Sequence, residues 1–205
     1  MKLPKTRLTE RFTKALEYAV VQHGDQVRKS TDITYISHPL GVASIVLESG
    51  GTEDEAIAGL LHDVPEDCGG QPRLIEIREM FGPNVARIVE ACSDTLVEDR
   101  STKPGWQIRK QDHLNHLRKT ADSSILLVTA ADKLHNARAI VADKQVIKSE
   151  IWARFISEEK DVVKKREMVL WYYNQVFKLV EEDDSVDHNL KASLRLAISV
   201  MEIQD

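Results

Sequence analysis

Thiols are scarce in this chain: Cys68 and Cys92 are the two cysteines among 205 residues, far apart and without a CxxC partner. That excludes a disulfide framework and a thiolate knuckle, and leaves two core-type thiols suited to a reducing compartment. Long apolar runs are missing too, since no window approaches the roughly 18 uninterrupted apolar residues of a membrane span. The opening MKLPKTRLTERF lacks the apolar core of a signal peptide, so a cytoplasmic location and no membrane partner are expected. Positive charge is not in excess: 28 Lys and Arg against 33 Asp and Glu give a net charge of −5. This argues against a nucleic-acid partner while leaving room for one basic pocket that holds a phosphate. Alternating strands, repeats, low-complexity tracts and Pro/Ser-rich linkers are likewise absent, and the length suits one domain with a core rather than two.

What is there is helical period. Phe12, Ala15, Leu16, Ala19 and Val20 fall at three- and four-residue steps on one face of a first helix. Pro39 suits the first position of a second helix, which puts His38 near its N-cap. Thr52 and Glu55 form a capping-box pattern, and the body that follows, Ala56 to Leu61, is apolar or small all round and therefore central. Residues 71–92 read as two helices hinged at Gly82 and Pro83, and 93–105 as a polar surface loop. WQIRKQDHLNHLRKT and SSILLVTAADKLHNARAIVAD supply the next helices. Residues 150–181 carry one long amphipathic pattern with Trp152, Phe155, Val163, Leu170, Tyr173 and Phe177, and a last helix runs from about His188 to Ile203. The expected fold is all-α, a single helical-bundle domain over residues 1–205. Oligomeric state stays open, because the aromatic-rich helix either buries itself within the chain or pairs with a second copy to make a homodimer.

The stretch GLLHDVPEDCGG, residues 59–70, sets His62, Asp63, Glu66 and Asp67 at the end of the central helix. Carboxylates gathered beside buried structure need a positive neighbour. His38 and Asp132, the latter in TAADKLHNARAI on an otherwise small and apolar helix, are of the same kind. Each has a plainer role when taken alone, as a capping histidine or a salt-bridged aspartate. Together, His38, His62, Asp63 and Asp132 make a mixed nitrogen and oxygen ligand set without thiolate. Such a set suits Mn²⁺, Fe²⁺ or another six-coordinate divalent ion better than a closed structural zinc.

QVRKSTDITYISHPLGVASIV, AGLLHDVPEDCG, REMFGPNVARIVEACSD and TAADKLHNARAI resemble, in order, successive blocks of the HD-domain phosphohydrolases. More narrowly, the chain is similar to the guanosine polyphosphate (ppGpp) pyrophosphohydrolase domain of RelA/SpoT-type proteins and to stand-alone small alarmone hydrolases. The blocks cover residues 10–142, leaving the C-terminal helices, 148–205, outside the likeness. The resemblance implies an HD-domain bundle in which His38, His62, Asp63 and Asp132 hold one metal ion, usually Mn²⁺. It implies that Glu66 and Asp67 handle the attacking water, and that Arg28, Lys29, Lys133 and Asn136 contact the nucleotide. The implied reaction is removal of the 3′-pyrophosphate of ppGpp, and no companion synthetase domain is expected within these 205 residues. Two other readings stand beside it: a broader HD nucleotidase or phosphatase, and a non-catalytic regulator that binds metal or nucleotide.

Three positions depart from the family pattern. Pro65 stands inside HDVPED where Val or Thr is common, and is expected to stiffen and displace the turn bearing Glu66 and Asp67. Ser37 replaces a common Asn and Ala139 a common Thr, each removing a polar group from the expected pocket wall. Elsewhere the plain readings are preferred. His23 packs or caps the first helix end; Arg109, His113 and His116 form a solvated helix face; Trp171, Tyr172 and Tyr173 are core; and the acidic run 181–184 is a solvated terminus. His135 lies close enough in sequence to touch the site, although Asp132 is the better ligand.

Overall fold

Two helical segments that are buried all round organise the molecule, a computed structural model that describes residues 6–98, 102–156 and 158–203. The elements in order are α1 (Glu10–His23), α2 (Ser37–Glu48), α3 (Glu53–Leu61), α4 (Val64–Cys68), α5 (Gln71–Phe81), α6 (Pro83–Cys92), α7 (Trp106–Thr120), α8 (Ser123–Ile147), a 3₁₀ helix (Lys148–Arg154), α9 (Val162–Glu182) and α10 (His188–Glu202). In α3 every residue from Ala56 to Leu61 is buried, and in α8 burial is unbroken from Ile125 to Asp132. Helices apolar on all sides can only be central. The others wrap them: α2 lies on both α3 and α8, α1 and α6 cover α3, and α10 packs on α8 and α9. One core cluster runs from Ala15 to Met201. Extended pairing among the described residues amounts to an isolated bridge between Val27 and Thr34. No helix among them is long and apolar enough to cross a membrane, and no disulfide joins Cys68 and Cys92.

The ends of these helices are set locally. Thr52 accepts a hydrogen bond from the Glu55 amide while the Glu55 carboxylate accepts from the Thr52 amide, the reciprocal box expected from the sequence. Asp122, Asp161 and Asp187 cap α8, α9 and α10 through their carboxylates. Between α5 and α6, Gly82 adopts φ 94°, a left-handed conformation open to glycine, and Pro83 begins the next helix. Pro65 acts in the same way. It occupies the first turn of α4, where an N–H has no helical acceptor to lose, so the chain turns at His62 and Asp63 and restarts as a helix.

Several expectations need correction. The second helix starts at Ser37 with Ile36 as its N-cap residue, so His38 lies within the first turn rather than at the cap. Val20 is 49% exposed, outside the buried face of α1. Residues 150–181 are not one helix: Lys148 (φ 55°) and Ile156 (φ 44°) reverse the chain around a 3₁₀ segment, and Asp161 caps a separate α9. Ser37 is exposed and lies outside the cleft wall, whereas Ala139 does line it.

Candidate metal centre and its cleft

His62 sits at the C-cap of α3, where its Nδ1 lies 2.9 Å from the Gly59 carbonyl oxygen. A carbonyl can only accept, so Nδ1 carries a proton, and Nε2 is the nitrogen left for a second proton or a cation. That Nε2 is buried with no hydrogen-bond partner. It faces carboxylates, 3.2 Å from Asp63 Oδ2 and 3.7 Å from Asp132 Oδ1. His38, from the first turn of α2, brings its Nε2 to 3.3 Å from Asp63 Oδ2 and 3.2 Å from Asp132 Oδ1. One ligand atom each from His38, His62 and Asp132 lie within 4.8 Å of one another. These are residues able to hold a metal ion, and a buried, unpartnered imidazole nitrogen among carboxylates is the donor set a divalent cation fits.

The electrostatics agree. Burial works against charge on Asp63, but His62 and His38 beside it hold its carboxyl well below the usual range. Burial likewise opposes ionisation of Asp132, and Lys133 with the two imidazoles keeps it well below its ordinary value. For His62, burial pulls the pKa down, and Asp63 and Asp132 outweigh it and push it up. The point between these side chains therefore favours positive charge.

Around this floor opens a cleft of about 620 Å³. Glu66, Asp67, Arg28, Lys29, Lys133, Asn136, His38, Asp63 and Asp132 all line it; His62 is buried and does not. Arg28 and Lys29 belong to the loop held by the Val27–Thr34 bridge, and Lys29 is exposed. Arg28 Nη2 donates to Asn136 Oδ1 at 2.7 Å, and Asn136 Nδ2 donates to Asp132 Oδ1 at 2.5 Å, the shared helix face that a four-residue spacing implies. Lys133 donates to the other carboxylate oxygen of Asp132 at 2.6 Å. Gln26 Nε2 lies 3.3 Å from Asp67 Oδ2. On Glu66, burial and then the nearby Asp94 raise the pKa, against Lys110.

Sequence reasoning missed part of this cleft. Tyr35 donates its hydroxyl to Asp63 Oδ2 at 2.6 Å. The α7 face read as solvated is divided. His116 is exposed, but His113 is buried with its Nδ1 3.0 Å from the Tyr172 hydroxyl, and burial pushes its pKa down to about 4. Arg109 lies 3.2 Å from Asp94 and 3.7 Å from Glu66, and Lys110 and Lys103 join the same cluster. Burial opposes the charge on Asp94, yet Lys110, His113 and Lys133 hold it down to about 2. Charged residues in α7 thus face half-buried carboxylates contributed by α4 and the loop after α6, which the local sequence does not display. Tyr172 and Tyr173 are buried as expected and also wall the cleft. His23 is buried against Gln26, and the 181–184 run is largely exposed, both as read from the sequence.

The HD domain family model matches residues 15–158, and the chain belongs to the HD domain family. Among curated proteins it is 36% identical over 129 residues to the GTP pyrophosphokinase rsh of Brucella ovis, covering 63% of this chain and 17% of that protein. The chain therefore spans less than a fifth of the length of that relative. It is 37% identical over 127 residues to the guanosine-3′,5′-bis(diphosphate) 3′-pyrophosphohydrolase MESH1 of Xenopus tropicalis, covering 60% of this chain and 66% of that one. Among solved structures it matches a metazoan ortholog of SpoT, described as hydrolysing ppGpp with a role in starvation responses. There the TM-score is 0.72 at 25% identity, over 95% of this chain and 97% of the other.

Proposed function

We propose that this chain is a metal-dependent hydrolase that removes the 3′-pyrophosphate of ppGpp-type guanosine polyphosphates, with Mn²⁺ held by His38, His62, Asp63 and Asp132. The observation that carries the reading is the convergence of two carboxylates and the His38 imidazole on the floor of a cleft, with the His62 imidazole buried directly against them, and a wall that bears Arg28, Lys29, Lys133 and Asn136. The activities named for the Xenopus relative and the metazoan structure support the substrate class. A divalent cation at this point supplies Lewis acidity, lowering the pKa of water and withdrawing charge from a phosphoryl oxygen. The chain's own residues do the rest. Glu66, whose carboxyl burial and Asp94 hold above its ordinary range, is suited to take a proton from water and hand it on. Asp67, on the next position of α4, orients that water with it. Arg28 has one Nη2 engaged by Asn136 and keeps its other donors for phosphate oxygens, while Lys29 adds positive charge where substrate enters. Oxygen from water joins the 3′ phosphorus, the bond from that phosphorus to the ribose oxygen breaks, and ppGpp yields GDP and pyrophosphate.

A second reading keeps the site and changes the nucleotide. It is favoured by Ala139, which leaves that part of the wall without the hydroxyl common in the family, next to apolar Ile140. Incubating the purified chain with Mn²⁺ and a nucleotide panel separates the readings. The proposal expects GDP and intact pyrophosphate from ppGpp, loss of turnover in Asp63→Ala, and a 10²–10⁴-fold fall in kcat for Glu66→Gln. Orthophosphate released from other nucleotides favours the second reading. Bound Mn²⁺ with no turnover on any nucleotide overturns both and leaves a regulatory binding module.

A further inference from the structure

His135 takes no part in the chemistry described so far, yet its ring stands against that of His38. The two Nδ1 atoms are 2.9 Å apart, and the ring centroids 4.8 Å. A hydrogen bond between two such nitrogens needs one donor and one acceptor. If His135 donated, the remaining proton of neutral His38 would sit on Nε2, pointing at Asp63 and Asp132, and that nitrogen would have no lone pair for a cation. If His38 donates, its Nε2 is free to ligate. His62 solves the same problem with the backbone carbonyl of Gly59, which no side-chain substitution removes. His38 depends on a side chain.

A second observation fixes the partner ring in place. Gly41 lies inside α2, one turn from His38, where glycine has no conformational task and costs helix stability. A Cβ on Gly41 would meet His135 Cδ2 at 2.2 Å and Nε2 at 2.3 Å. The missing side chain is what allows His135 on α8 to lie close against α2 and reach the first turn of that helix.

We propose that His135 is a positioning residue of the metal centre: its Nδ1 accepts the Nδ1 proton of His38 and so aims the His38 Nε2 lone pair at the cation, with Gly41 making the space. This rests on the metal-centre reading above. A partner of this kind fixes both tautomer and ring orientation of a ligating histidine, and its loss weakens metal affinity about 10–100-fold.

The test is titration of the full chain with Mn²⁺, reading free ion by electron paramagnetic resonance, for the unsubstituted protein and three variants at His135. His135→Asn places a carbonyl oxygen where Nδ1 was and is expected to bind close to the unsubstituted chain. His135→Gln carries its carbonyl one carbon too far, and His135→Leu has no acceptor; both are expected to bind about 10–100-fold more weakly. Gly41→Ala is expected to weaken binding as well, and to add little in a His135→Leu background, because both act through one contact. Circular dichroism of the metal-free variants separates misfolding from lost affinity, and if the Leu variant does not fold, the Asn and Gln pair still decides. Equal affinity across Asn, Gln and Leu, or Asn as weak as Leu, overturns the inference. Failure of the unsubstituted chain to bind Mn²⁺ overturns instead the metal-centre reading on which it rests.

Discussion

At the scale of single residues, burial decides which groups carry charge. His113 is the clearest instance outside the metal site, buried on α7 against the Tyr172 hydroxyl with its Nε2 unpartnered. Burial lowers its pKa to about 4 from 6.5, against the pull of Asp94. The unfolded chain therefore takes up this proton first as pH falls, and the folded state loses stability between pH 6.5 and 4. His113→Asn retains an acceptor for Tyr172 and cannot titrate, so thermal unfolding of that variant should fall off less steeply over the same interval. An unchanged slope would show that His113 is already charged in the folded chain. Cys92 follows the same rule, its thiol pushed up to about 11 by burial, so it should react with iodoacetamide at neutral pH more slowly than a free exposed thiol.

At the scale of elements, capping and turn chemistry set where the functional side chains emerge. The box formed by Thr52 and Glu55 begins the helix that ends at His62. Thr52→Ala should lower unfolding stability by about 1 kcal/mol in denaturant titration, with no change in the nucleotides accepted. Pro65 is compatible with the first turn of α4, so Pro65→Ala removes little from the folded state and frees the unfolded chain. The expected cost is about 0.4–1 kcal/mol, again by denaturant midpoint, and a gain in stability would show strain at that turn. These features were legible because their signals are local: a capping box, an apolar run, a proline after an HD pair. The reversals at Lys148 and Ile156 were not, because left-handed backbone there is carried by residues that give no glycine sign. Arg109 and His113 were misread for a related reason. Their partners Glu66, Asp94 and Tyr172 are remote in sequence, and a polar helix face looks solvated until those partners are placed on it. The proposed metal set was legible only jointly, since no one of His38, His62, Asp63 and Asp132 is unusual alone.

At the scale of the whole molecule, a chain of net charge −5 lines one cleft with Arg28, Lys29, Lys110, Lys133 and Arg154 interleaved with six carboxylates, three of which pair with Lys110, Lys133 and Arg154. A polyphosphate approaching an acidic protein depends on the cations outside those pairs, Arg28 and Lys29 at the loop beside the cleft. Raising salt from about 0.1 M to 1 M shortens the screening length from about 10 Å to 3 Å. The ratio kcat/KM for the proposed substrate ppGpp should therefore fall while kcat changes less, and a flat salt profile would count against Arg28 and Lys29 as its point of entry. The floor of the same cleft carries the central claim, that four side chains drawn from α2, the α3–α4 turn and α8 share a single cation. Anomalous diffraction from crystals of the chain grown with Mn²⁺ addresses it most directly. The account predicts one strong peak bonded to Nε2 of His38 and of His62 and to carboxylate oxygens of Asp63 and Asp132. A peak elsewhere, or none at that position with Mn²⁺ in excess, would contradict it.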